Sequence, residues 1–114
     1  MSFEPAAALS DLSVGTPACV KLAGEPICLV RTDETTVKAV HNTCSHQQYD
    51  LHEGWVEDNH IECALHGSMF DLDTGEPDSL PAVKPIPTYA VRIDDDVVMV
   101  DAATPTNGAD LPRH

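Results

Sequence analysis

No segment of this 114-residue chain repeats its apolar residues at helical spacing for more than about a turn, so long helices cannot supply its core. At most a turn of helix is expected near Asp11. Short apolar runs, partly β-branched, alternate instead with turn residues. Ala18 to Leu22 and Ile27 to Arg31 flank Gly24-Glu25-Pro26, and Asp33-Glu34 precedes Thr36 to Val40. Trp55-Val56-Glu57 and His60-Ile61-Glu62 flank Asp58-Asn59, a hairpin signal. Tyr89 to Ile93 and Val97 to Val100 flank Asp94-Asp95-Asp96, read as a solvated turn. Strands this short and evenly spaced predict an all-β fold, an antiparallel β-sandwich or small barrel. The length allows one domain, residues 1–102. A C-terminal tail over 103–114 follows, in which Thr104-Pro105-Thr106-Asn107-Gly108 reads as loose.

Three segments do not read as strands. His41 to Asp50 is polar and holds Cys44 and His46. Ala64 to Ser68 follows Cys63 and holds His66 and Gly67. Asp78 to Pro87 carries Pro81, Pro85 and Pro87, which cannot pair in a central strand. Loops held by a rigid scaffold are where chemistry sits.

Nineteen acids face six Lys and Arg, a formal charge of −13. That balance excludes nucleic acid, whose phosphates need cations, and argues against an anionic membrane surface. A partner should present a basic patch. Met1 to Ser10 has no basic targeting region, and nothing approaches the roughly 18 apolar residues of a membrane span. The expectation is a soluble, cytoplasmic monomer. In such a compartment Cys19, Cys28, Cys44 and Cys63 are ligands or buried thiols rather than a disulfide framework. Cys19 and Cys28 fall in predicted strands and read as buried apolar thiols. His41, His52, His60 and His114 lack ligand spacing to one another and read as surface or loop histidines.

The ligand-type residues form two short pairs, Cys44-Ser45-His46 and Cys63-Ala64-Leu65-His66, with sixteen residues between His46 and Cys63. Those sixteen contain the predicted Trp55–Glu62 hairpin, so two loops can meet at one tip of the sheet. Each then offers one thiolate and one imidazole to a shared metal site. Two cysteines and two histidines are also a zinc set. Zinc fingers, however, prefer Cys-Cys followed by His-His on a helix, whereas here the order alternates on loops of a β domain.

The pattern C-x-H, sixteen residues, C-x-x-H, then Gly67 resembles the Rieske iron–sulfur motif. His66-Gly67-Ser68-Met69-Phe70-Asp71 is similar to the family's strand after the second loop, and Asp73-Thr74-Gly75 to its turn. Ser79-Leu80-Pro81-Ala82 sits where the family has a proline loop covering the cluster. The resemblance runs from Leu12 to Asp101. It implies a Rieske-type fold with a cluster-binding subdomain formed by two loops. It also implies one [2Fe–2S] cluster, with Cys44 and Cys63 on the inner iron and His46 and His66 on the outer.

Departures from the pattern indicate the branch. Membrane-bound, high-potential relatives join the two loops by a disulfide, but here the corresponding positions are Gln48 and Leu65. Those relatives also aim a serine and a tyrosine hydroxyl at cluster sulfurs, and this chain has Ser68 but Phe70. The resemblance is to soluble ferredoxins that pass one electron from a flavin reductase to the terminal oxygenase of an aromatic-ring dioxygenase. The carbazole dioxygenase type is one such subgroup. The chain is expected to be non-catalytic, because a terminal oxygenase needs a further mononuclear iron in a substrate pocket. Two alternatives stand. Small subunits of assimilatory nitrite reductases share the fold, although many lack the ligands this chain keeps, and a zinc-stabilised interaction module has the same donor set.

Overall fold

The computed structural model describes residues 3–43, 50–57, 59–63, 69–77, 85–103 and 105–109. Within them nine strands form two antiparallel sheets. These are β1 (Glu4–Ala8), β2 (Ala18–Leu22), β3 (Glu25–Asp33), β4 (Thr36–His41), β5 (Trp55–Glu57), β6 (His60–Glu62), β7 (Met69–Asp71), β8 (Thr88–Asp94) and β9 (Val97–Asp101). The large sheet has the order β1-β9-β8-β4-β3-β2 and curls until β1 lies against β2, a nearly closed barrel. The small sheet has the order β5-β6-β7. The all-β expectation holds, and the barrel is the form it takes.

Two cores follow from the alternation of side chains along the strands. Ile27, Leu29, Val37, Ala39, Tyr89, Val98 and Val100 fill the barrel with Leu12 and Ala102. Cys28, Val30 and Val40 point from the opposite face of the same sheet. They meet Leu51, Ile61, Cys63, Phe70, Leu72 and Ile86 of the smaller unit. Fully buried side chains such as Phe70, Ile61 and Leu51 stabilise the fold by about 1.5–3 kcal/mol each. The small sheet is therefore held on the barrel by an apolar core that ends at Cys63.

Several turns differ from the sequence reading. Glu25 and Pro26 belong to β3, and the β2–β3 turn is Ala23-Gly24, both at positive φ (52° and 78°). A two-residue hairpin needs that backbone twist, which Gly24 adopts freely. Asp33 closes β3, and its carboxylate accepts the Thr35 N–H at 2.9 Å. That bond holds its carboxyl below the usual range. Asp94 ends β8, leaving Asp95-Asp96 as the positive-φ turn. The single helical turn near Asp11 is the 3-10 segment Leu9–Asp11. β1 was not expected, because Ala6-Ala7-Ala8 has little strand preference; pairing with β9 imposes the conformation.

Two residue assignments are corrected. Cys19 is exposed, because it lies on the outer strand of the curled sheet; Cys28, directly opposite on β3, is fully buried. His41 is a buried residue at the end of β4, only 2% exposed, and not a surface histidine. Its parity with Val37 and Ala39 directs it to the interior.

The stretch read as loose is fastened to the barrel across 105–109. The Thr106 N–H donates to the Thr88 carbonyl at 2.7 Å, and the two threonine hydroxyls bond at 2.6 Å. The Asn107 amide nitrogen donates to the Thr74 and Ile86 carbonyls, both at 2.8 Å, while its oxygen accepts the Thr88 and Ala109 N–H groups. Asn107 thus ties the turn after β7 to the strand leading into β8. Gly75 lies under it at φ 74°, where a Cβ would overlap the Ile86 carbonyl oxygen.

Asn107→Ala removes this bracket and should cost about 1–2 kcal/mol, lowering the thermal midpoint by roughly 4–10 °C. An unchanged midpoint would mean that the strap contributes nothing. Gly54 offers a sharper test. A Cβ there would run into the Glu62 carbonyl oxygen, which belongs to the β6 backbone and cannot swing aside. Gly54→Ala should therefore cost about 1–3 kcal/mol or more through overpacking, read as a midpoint lower by roughly 10 °C. A midpoint equal to the parent's would contradict this contact.

Candidate metal centre

Of the four sequence-predicted ligands, the described residues include Cys63. It follows β6 directly, is 2% exposed, and closes the apolar core between the two sheets. Cys44, His46 and His66 lie outside the described residues, as do Ser45, Gln47, Gln48, Tyr49, Leu65, Ser68, Pro81 and Ala82. The structure does show how the chain enters and leaves each ligand-bearing segment.

The segment 44–49 is closed at its neck. Thr43 and Asp50 form an antiparallel bridge, and the Leu51 N–H donates to the Asn42 carbonyl at 2.6 Å. Asn42 is 1% exposed and grips His52 with both ends of its amide. Its oxygen accepts the His52 N–H at 2.9 Å, and its nitrogen donates to His52 Nδ1 at 2.9 Å. A buried amide with all these groups satisfied fixes one geometry, because any rearrangement strands a polar atom. His41 secures the other flank. Its Nδ1 accepts the Thr43 N–H at 3.1 Å, so Nε2 carries the proton and donates to Glu25 Oε1 at 2.9 Å. The 3-10 turn Leu51–Glu53 then buries Leu51 in the inter-sheet core.

The segment 64–68 is closed in the same way. Glu62 pairs with Met69, Ile61 with Phe70 and His60 with Asp71, so the chain leaves β6 and returns as β7 at one point. Gly54 joins the two necks, its backbone resting on the Glu62 carbonyl beside Cys63. The exit of the first segment thus touches the start of the second. A third neck lies behind them. The Ile86 N–H donates to the Gly75 carbonyl at 2.9 Å, and Phe70 bridges to Pro77, bracketing 78–84.

Sequence reading missed Asn42, His41 and Gly54 as the residues that shape this end. The parity of His41 with Val37 and Ala39 was the available signal. Nothing local marks the long-range roles of Asn42 and Gly54.

Of the two remaining described thiols, Cys28 packs in the core and Cys19 stands exposed on β2. Burial pushes the Cys28 thiol far up, keeping it neutral. Burial, then the Asp50 carboxylate, raises that of Cys19. Among the described residues no three His, Cys, Asp or Glu side chains converge on a metal position. The donor chemistry of the two closed segments, one thiolate and one imidazole each, fits an iron–sulfur cluster with mixed ligation. Phe70, fully buried on β7, brings a ring without a hydroxyl into the core that Cys63 closes.

The stretch of chain that contains the necks is acidic in sequence. Between Lys38 and Lys84 the chain has nine Asp and Glu and no Lys or Arg. Lys38 pairs with Asp73, and that hydrogen bond holds the Asp73 carboxyl below its usual range.

Comparison with known proteins agrees with this architecture. The ferredoxin subunit of anthranilate 1,2-dioxygenase from Burkholderia cepacia is 34% identical over 99 residues, 87% of this chain and 91% of that protein. The ferredoxin of carbazole 1,9a-dioxygenase from Nocardioides aromaticivorans IC177 superposes with a TM-score of 0.83 at 33% identity, covering 88% of this chain and 97% of that one. A carbazole 1,9a-dioxygenase complex of reduced oxygenase and oxidised ferredoxin contains a chain with a TM-score of 0.81 at 29% identity, covering 96% of both. The family model for the Rieske [2Fe–2S] domain matches residues 2–90, and the chain belongs to that family, whose cofactor is one [2Fe–2S] cluster.

Proposed function

We propose that this chain is the one-electron carrier between a flavin-dependent ferredoxin reductase and the terminal oxygenase of a multicomponent aromatic-ring dioxygenase. The observation that carries the reading is Cys63. It is a buried thiol at the closed end of β6, packed on a barrel of the same form as the dioxygenase ferredoxins. When bound, the cluster supplies a site that takes up and gives back a single electron. Cys44 and Cys63 are its thiolate ligands, and His46 and His66 its imidazole ligands. Two neutral imidazoles in place of two thiolates leave less negative charge to oppose an added electron. The necks at Thr43–Asp50 and Glu62–Met69 fix where the chain leaves and rejoins the scaffold around each ligand-bearing segment.

The reading assigns the chain no substrate chemistry of its own. Its partners are proteins with basic docking surfaces, which a charge of −13 attracts over distances comparable to the Debye length. Asp50 and Glu53, beside the first neck, are placed to take part in that attraction. We read the carrier as a cytoplasmic monomer. Among the described residues no helix is long and apolar enough to cross a membrane.

Reconstitution tests the function. Purified chain added to the reductase and oxygenase of an aromatic-ring dioxygenase should make product formation from NAD(P)H depend on its concentration. Cys63→Ser should abolish that dependence, because the hard alkoxide is a poor exchange for thiolate. Turnover equal with and without the chain would reject the assignment. The potential is a second measurement. With Phe70 in place of a hydroxyl donor, and Gln48 and Leu65 where an inter-loop disulfide would stand, it should fall at the low end of the Rieske range, about −150 mV. A midpoint well above zero would contradict membership of the ferredoxin branch.

A further inference from the structure

The β5-β6-β7 sheet presents one face to the core and a second face outward. Val56, Ile61 and Phe70 point inward, so their neighbours along each strand form the opposite face. The ladder arranges that face in two rows, Trp55–Glu62–Met69 and Glu57–His60–Asp71. Trp55 is the chain's single tryptophan and is 61% exposed. It stands at the start of β5, the outer strand of its sheet, directly across from the residue that precedes Cys63.

Such a side chain is costly to leave in water, and an indole face attracts cations. Its surroundings reinforce that preference. Glu57 and Glu62 share its face, Glu53 precedes it by two residues, and Asp71 lies in the second row beside His60. No Lys or Arg stands between residues 39 and 83 of the sequence, and Lys38, just before that stretch, is paired with Asp73. Apolar area at the centre with charge of one sign around it is the composition of a docking patch, and tryptophan is the residue type most enriched among its anchors.

We propose that the outer face of β5–β7 docks a basic protein surface, with an arginine or lysine side chain of the partner stacked on Trp55 and held by Glu57 and Glu62. The inference rests on the electron-carrier reading, since it makes the occupant a redox partner. It adds the face on which that partner sits. Charge complementarity selects the occupant: a carboxylate frame repels acidic surfaces and phosphates, and the exposed indole adds a cation-specific contact. A partner seated there also covers the Glu62–Met69 neck, bringing its own redox centre toward the Cys63 end of the carrier.

The test uses reduced, cluster-loaded protein and cytochrome c as a basic probe. Stopped-flow oxidation by cytochrome c and equilibrium binding to immobilised cytochrome c are read at low and high salt for Trp55→Ala, Glu57→Gln and Asp95→Asn. The last removes the same charge as Glu57→Gln from the distant β8–β9 turn. Trp55→Ala and Glu57→Gln should each weaken binding and slow oxidation about 2- to 5-fold at low salt. Asp95→Asn should leave both near the parent value, and high salt should shrink the differences. If Trp55→Ala fails to take up the cluster, Glu57→Gln against Asp95→Asn decides alone. Equal effects of the two charge variants, or none from either, would overturn the docking face. Ferricyanide, a small anionic oxidant, separates the two claims. Reduced parent protein that cannot pass an electron to it would refute the carrier reading instead.

Discussion

The structure depends on closing two loops at their necks. A segment carrying metal ligands has too few apolar residues to fold on its own, so its ends must be fixed by the scaffold. Here Asn42 does this for one segment by satisfying two polar groups of His52 while its own carbonyl takes the Leu51 N–H. The β6–β7 ladder does it for the other. Gly54 makes the two dependent on each other, because only a residue without a side chain lets the first neck rest on the Glu62 carbonyl. The barrel supplies the apolar face on which this assembly is packed.

That arrangement suits a carrier whose task is to change charge without changing shape. Cys63 lies in the core between the two sheets with Ile61, Phe70 and Leu51, whose packing anchors its sulfur. The acidic surface around the necks contributes at longer range. It biases encounters toward basic partners, at some cost in self-repulsion within the folded chain.

Much of this was legible in the sequence, and the exceptions have physical reasons. Alternating apolar residues and Asp-, Asn- or Gly-containing turns located seven of the nine strands, the resemblance to the family added β7, and the Cys-x-His and Cys-x-x-His pairs pointed to that family. β1 was invisible because Ala6-Ala7-Ala8 becomes a strand only through β9. The fastening of Thr106 and Asn107 was equally hidden, since their partners Thr74, Ile86 and Thr88 are far away in sequence and the stretch has loop composition. His41 could have been placed inside from its parity with Val37 and Ala39. Cys19 could not be placed outside by the same rule, because which face of β2 is covered depends on how the barrel curls. Of the ligand set, the described residues place Cys63, where the sequence put it at the end of the hairpin.

The central claim is mixed ligation, one thiolate and one imidazole from each closed segment. Pulsed EPR of the reduced protein, with and without 15N-labelled histidine, tests it directly. Coordination by His46 and His66 predicts a paramagnetic reduced state whose hyperfine spectrum contains couplings from two imidazole nitrogens, both changing on 15N substitution. A cluster signal without strongly coupled histidine nitrogen, or stoichiometric zinc with no signal at all, would contradict the account.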